Sequence, residues 1–249
     1  MHPRTEMIDV VVSDGRAVGI VTRNVVTGDI GCTILGMNPP FDLLWNEVSM
    51  GSSVSLAQGY VHAGISTPVI ATIGDSTFFH GGIPGLVNAV FNNCNFTLVI
   101  LDNGTTAMTG HQPHPGVDMT QLNMEGYGKV SIEAVVKAIG VDHVTTIKPY
   151  KVKKSIAAIK EAIHHKGVSV IISEEICALY ANALKLPKRK PFHVSVKCKN
   201  HKDCLNSLAC PAFYIWNDRV KIDANLCTGC AVCAQICPEN AILPVKTSA

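Results

Sequence analysis

The sequence has 249 residues, 47% of them hydrophobic, with 21 Lys and Arg against 19 Asp and Glu. That composition builds a core and excludes a disordered chain, and a net charge of +2 is too small for bulk attraction to nucleic acid. No run approaches 18 uninterrupted apolar residues, so no membrane span is expected; the opening Met1-His2-Pro3-Arg4 lacks an apolar signal core, so a cytoplasmic location is expected.

Residues 1–24 read as a hairpin. Ile8–Val12 and Ala17–Thr22 flank Asp14-Gly15, a good two-residue turn. From residue 25 to 184 the pattern changes to short apolar runs alternating with amphipathic stretches. Val69–Ile73, Phe96–Leu101 and Val168–Ser173 are candidate buried strands, since continuous apolar runs of this length suit a parallel sheet covered on both faces. Val48–Ala63, Ile83–Asn92, Ile132–Ile139 and Val152–His165 carry helical periodicity. The alternation predicts an α/β domain with a mostly parallel sheet flanked by helices. A basic linker follows at 185–192, with Lys188-Arg189-Lys190 between two prolines, and reads as a solvated connection. Residues 193–249 form a small cysteine-rich module, too short to rest on an apolar core alone.

Seven of the 10 cysteines fall in that module, a distribution unlike a disulfide framework. Cys227-x2-Cys230-x2-Cys233-x3-Cys237-Pro238 has the spacing that wraps three corners of a cubane iron–sulfur cluster and sends the fourth thiolate to a second one. Zinc motifs instead pair two Cys-x2-Cys units across a longer gap. An earlier, looser copy reads Cys198-x2-His201-x2-Cys204-x5-Cys210-Pro211. One 4Fe-4S set is therefore Cys227, Cys230, Cys233 and Cys210. The other holds Cys198, Cys204 and Cys237 with His201 in the remaining position. There His201 ligates an iron, or stands beside a three-iron cluster, or the site is empty. Cys94 and Cys177 lie in apolar contexts and are expected to pack in the core.

Gly74-Asp75-Ser76 follows one candidate strand directly, and Asn103 follows the next, 28 residues after Asp75. A carboxylate and an amide oxygen at the carboxyl ends of neighbouring parallel strands can share one Mg²⁺, with the Thr105 carbonyl as a third ligand and a diphosphate on the far side.

This pattern resembles the diphosphate-binding half of thiamine diphosphate enzymes. Longer strings narrow it. Thr27-Gly28-Asp29-Ile30-Gly31-Cys32, the stretch from Ala71 through Gly74-Asp75-Ser76 to His80, and the stretch from Leu101 to Gly116 with Met108-Thr109-Gly110-His111-Gln112-Pro113-His114 resemble the large (alpha) subunit of indolepyruvate:ferredoxin oxidoreductase. The resemblance spans about residues 25–245 and implies a thiamine diphosphate-binding fold followed by an α+β two-cluster ferredoxin-like domain. It implies that Asp75, Asn103 and Thr105 hold Mg²⁺, that Gly31, Cys32, Gly74 and Ser76 line the diphosphate, and that His80, His111 and His114 lie near the reacting end of the cofactor. The implied reaction is oxidative decarboxylation of a 2-oxo acid, an arylpyruvate such as indolepyruvate, to acyl-coenzyme A with electrons passed through the clusters to ferredoxin.

The family's alpha subunit carries a further domain ahead of this region, which supplies the pyrimidine-binding surface. This sequence leaves no room for it, so a partner chain is expected to bring it, beside a beta-type subunit. Residues 14–24 instead resemble a hairpin of succinate dehydrogenase-type flavoproteins, too short for a flavin site. A non-catalytic electron-transfer or assembly subunit, or a truncated fragment retaining an iron–sulfur domain, is the rival reading.

Overall fold

The structure is a computed structural model and describes residues 7–13, 16–22 and 24–245. Strands β1 (Met7–Ser13) and β2 (Arg16–Thr22) pair antiparallel as the expected hairpin; its turn, Asp14-Gly15, lies outside the described residues. The main body is a five-stranded, wholly parallel sheet in the order β3 (Val25–Thr27), β4 (Val69–Gly74), β5 (Phe96–Asp102), β7 (Val168–Glu174), β6 (His143–Ile147). β4, β5 and β7 are the three apolar runs, and they occupy the centre, where both faces are covered. Helices α1 (Ser52–His62), α2 (Asp75–Thr77), α3 (Ile83–Phe91), α4 (Ile132–Ile139) and α5 (Val152–His164) supply the flanking layers.

Ile73, Phe78, Leu86, Leu98, Ile100, Val136 and Val170 are wholly buried in one continuous core. Each side chain of this size contributes on the order of 2 kcal/mol on leaving water. The edge strands β3 and β6 escape the apolar-run criterion. β3 has only three residues, and β6, His-Val-Thr-Thr-Ile, is half-exposed and polar along one side.

α1 begins at Ser52, four residues later than its periodicity suggests, for a backbone reason. Gly51 has φ 85°, and a Cβ there would lie 2.9 Å from the Gly81 carbonyl. Its N–H donates to the carboxylate of Asp29 at 2.8 Å, and Asp29 also accepts from the Ser53 hydroxyl at 2.9 Å. Asp29 is fully buried, and burial raises its pKa while these hydrogen bonds oppose the rise. The α1 entry is thus locked to the loop after β3.

α6 (Ala178–Ala183) follows β7 and leads into the basic stretch. The small module is α+β. β8 (Phe192–Val194) pairs antiparallel with β11 (Ile242–Pro244), and β9 (Phe213–Trp216) with β10 (Arg219–Ile222); α7 (Asp203–Leu208) and α8 (Val232–Ile236) carry cysteines between them. β8 begins at Phe192, inside the stretch read as linker. Nor is that stretch simply solvated. The Arg189 guanidinium sits 2.6 Å from a Glu175 carboxylate oxygen and 5.0 Å above the Tyr150 ring. Gly229, at φ 72°, presses so closely that a Cβ there would meet the Arg189 Cβ and the Lys190 carbonyl at 2.6 Å. Among the described residues no helix is long and apolar enough to cross a membrane.

Candidate functional site

The carboxyl ends of β4 and β5 lie side by side because the strands pair in register, Gly74 opposite Leu101. Asp75 therefore leaves β4 beside the loop that leaves β5, and it opens a helical stretch that runs on to Phe91 through a π-helical turn, Phe78–Gly82. One carboxylate oxygen accepts from the Ser76 N–H at 2.8 Å. The other accepts from Asn103 N–H at 3.0 Å and Gly104 N–H at 2.8 Å. The side-chain oxygen of Asn103 accepts from Thr105 N–H at 3.1 Å, which keeps two of the three expected cation ligands in one tight turn beside Asp75. Thr106 Oγ1 donates to Ser76 Oγ at 2.8 Å and ties the loop back to α2.

The charge here asks for a cation. Asp75 is buried, and Asp102 stands beside it. Burial, then the Asp75 and Glu174 carboxylates, push Asp102 up to about 6. Held above its usual 3.8, Asp102 favours folding fully below about 4, and that benefit is lost as pH rises through about 6. In cation-free buffer the melting temperature should therefore rise from pH 7 to pH 5, and the Asp102→Asn variant should show a flatter profile. Between those two pH values the difference amounts to about 1 kcal/mol. Parallel profiles would mean that the two carboxylates do not share the site.

The space beside these ligands suits a diphosphate. A Cβ at Gly31, Gly74 or Gly104 would meet nothing within 4 Å, so bare backbone faces open space at all three positions. Cys32 starts a 3-10 turn (Cys32–Met37) next to Gly31. Burial, then Cys177 and Asp75, raise its thiol pKa. Cys177 is therefore not a core residue. It is half-buried at the start of α6, and its N–H donates to the Asn103 carbonyl at 3.0 Å. Cys94 does pack in the core, with Sγ 3.4 Å from His62 Nε2.

The three histidines do not act alike. His80 Nδ1 lies 2.7 Å from the Ser76 carbonyl, which must accept, so the proton sits on Nδ1 and Nε2 keeps its lone pair. His111 holds φ 66° and stacks on Tyr180 at 5.2 Å between centroids; its Nδ1 is buried without a partner. His114 accepts at Nδ1 from Gly116 N–H, so its proton is on Nε2, 3.1 Å from Asp75 Oδ2. Its side chain is wholly buried. His114 thus lies directly beside the expected cation ligand Asp75. A sequence gives no sign of this, because the contact crosses from a loop to a helix start 39 residues earlier.

In the small module the thiols gather in two sets. Burial, then Cys230, Cys227 and Cys210, push the Cys233 thiol up to about 12. A buried thiol crowded by three others is what a cationic iron core would relieve. Cys237, after burial, raises Cys204, with Cys198 adding to it, so the second set also converges. Backbone N–H groups point at the sulfurs: Phe192 at Cys227, Asn200 at Cys198 and Ala241 at Cys237, all between 3.3 and 3.4 Å. His201 lies at the rim of the second set, its Nε2 3.1 Å from a Glu239 oxygen.

Residues 29–173 match the family described as thiamine pyrophosphate enzyme, C-terminal TPP binding domain. The chain belongs to that family. This thiamine pyrophosphate enzyme domain is followed by a match to the 4Fe-4S binding domain family at residues 220–243. A stretch of 54 residues is 37% identical to a ferredoxin of Alicyclobacillus acidocaldarius, covering 21% of this chain and 69% of that one. Over 222 residues the chain is 44% identical to indolepyruvate oxidoreductase subunit IorA of Archaeoglobus fulgidus, covering 88% of this chain and 35% of that protein. It spans about a third of the length of such relatives. A 2-oxoglutarate:ferredoxin oxidoreductase from Magnetococcus marinus shares the fold, with a TM-score of 0.55 at 22% identity over 62% of this chain and 54% of that one.

Proposed function

We propose that this chain is the diphosphate-binding and electron-conducting part of a 2-oxo acid:ferredoxin oxidoreductase. The reaction is oxidative decarboxylation of an arylpyruvate such as indolepyruvate to acyl-coenzyme A, with a partner chain bringing the pyrimidine-binding domain and a beta-type subunit beside it. The observation that carries the reading is the physical link between two sites on one chain. Asp102 and Asn103, at the candidate Mg²⁺ site, accept the N–H groups of Glu175 and Cys177. Glu175 pairs with Arg189, Arg189 covers Tyr150, and Gly229 of the first thiol set packs against Arg189 and Lys190. Electrons leaving the thiamine half would meet a thiol set already clamped to it.

Bound thiamine diphosphate would supply the electron sink that such a decarboxylation needs. The chain's own residues do the rest. Asp75, Asn103 and the Thr105 carbonyl would hold Mg²⁺, and the buried His114 ring lies against Asp75, its Nε2 3.1 Å from Oδ2. Backbone at Gly31, Gly74 and Ser76, with Cys32, would face the diphosphate. His80, with its lone pair on Nε2, and His111, with an unsatisfied Nδ1, are the groups able to exchange a proton with substrate.

The test is anaerobic purification of the chain with iron, sulfide and bound thiamine diphosphate quantified. The expected result is about eight iron per chain, for two four-iron clusters, with thiamine diphosphate retained only when Mg²⁺ is present. About four iron and no cofactor under any condition would leave an electron-transfer or assembly subunit and end the catalytic reading.

A further inference from the structure

Charge is unevenly shared along the chain. Residues 25–184 hold eight Lys and Arg against twelve Asp and Glu, while residues 185–245 hold nine against four. The near-neutral total hides an acidic thiamine half and a basic thiol module.

Within the module the β9–β10 hairpin carries different chemistry on its two faces, with Val220 buried on one of them beside the half-exposed Ile215. The register sets Tyr214 opposite Lys221 and Trp216 opposite Arg219, so these four side chains share one face. All four are exposed, Trp216 at 65%. The alternate face carries Val220, which is 2% exposed and lines the small cavity ringed by Cys198, Cys204 and Cys237. The hairpin is tied to that thiol set. Asn200 Nδ2 donates to the Asp218 carbonyl at 2.6 Å, Val220 N–H donates to Asn200 Oδ1 at 3.2 Å, and Lys202 pairs with Asp218 at 3.0 Å. One layer of side chain thus separates the second thiol set from an outward face of two aromatic rings and two cations. The first set, by contrast, faces the thiamine half, where Cys230 lies close enough to Tyr150 to raise its pKa, after burial.

We propose that the outer face of this hairpin, Tyr214, Trp216, Arg219 and Lys221, is the docking site for an acidic one-electron carrier protein that takes electrons from the second thiol set. The aromatic rings supply desolvated contact area, and the cations steer a partner of opposite sign. One electron leaves the reduced cluster, which is oxidised by one, and enters the oxidised carrier, which is reduced by one; no bond or proton moves. The proposal rests on the reading of both thiol sets as clusters.

The test uses the full chain, purified anaerobically and reduced with dithionite, then mixed with oxidised probe in a stopped-flow spectrometer. The probes are an acidic [2Fe–2S] ferredoxin, basic cytochrome c and benzyl viologen. The ferredoxin rate should fall roughly tenfold between about 50 and 300 mM salt. It should fall by a similar factor in the R219E/K221E variant and recover in R219K/K221R. Reduction of benzyl viologen should stay unchanged in all of them, which separates docking from damage to the cluster. Y214S/W216S should also slow ferredoxin selectively.

An unchanged ferredoxin rate in R219E/K221E, or an equal loss with viologen, would overturn the docking face while leaving the cluster reading standing. So would a change in oligomeric state without a change in rate, which would make this face a contact between copies. A chain with no absorbance that bleaches on reduction would overturn the cluster reading and the docking site together.

Discussion

Replacing Asp75 with Asn should weaken thiamine diphosphate binding in the presence of Mg²⁺ by at least about a hundredfold, roughly 3 kcal/mol, with a smaller loss of stability. The carboxylate is buried and each of its oxygens accepts a hydrogen bond, from the N–H groups of Ser76, Asn103 and Gly104, with the His114 ring 3.1 Å away. An amide keeps the shape but turns one acceptor into a donor facing N–H groups, and it removes the charge that a divalent cation would meet. Titration calorimetry with thiamine diphosphate and Mg²⁺ gives the number. A variant that binds as the parent does would remove Asp75 from the cation site and leave it as a loop clamp. His114→Ala makes the companion case, with a loss expected to be smaller, since His114 lies beside Asp75 without being one of the expected cation ligands.

Replacing Cys233 with Ser should remove about four iron per chain and lower the melting temperature of the anaerobic protein substantially. Cys233 is the most crowded of the first thiol set, and removing it opens the cluster on the side where α8 begins. Where a metal centre substitutes for an apolar core, its binding energy is folding energy. Cys198→Ser, at the second set, should lower iron by a similar amount while leaving the first cluster's electron paramagnetic resonance signal in place. Unchanged iron in Cys233→Ser would break the assignment of Cys210, Cys227, Cys230 and Cys233 to one cluster.

Some of this was open to a reader of the sequence because it rests on local spacing. β4, β5 and β7 announce themselves as apolar runs, and α4 is bounded by Ser131, whose hydroxyl accepts from Ala134 N–H, and by Gly140 in the left-handed region. Cys227 to Cys237 sit at fixed intervals on one loop and short helix. What could not be read depends on elements meeting across the chain. His143 to Ile147 becomes a strand only because β7 offers it an edge. Cys177 looks like a core residue in its apolar neighbourhood, yet the chain runs on past β7 beside the end of β5 and carries it to Asn103. Asp29 looks like one residue of a turn, and only the folded chain shows it gripping Gly51 and Ser53, 22 and 24 residues away. His114 is the clearest case: its side chain serves Asp75 through a loop whose path no periodicity describes.

With a cluster on the first thiol set, the seat of Gly229 against Arg189 and Lys190 would couple iron loading to the docking of that segment. Whatever occupies the first thiol set fixes the Cys227–Cys230 loop, and a fixed loop holds the 185–192 segment in place. By mass action, each unit of free energy gained when the cluster inserts is also withheld from any open form of that segment. Iron supply would then govern how often the basic segment is exposed to a protease, and the lifetime of the chain would report on the metal status of the cell that makes it.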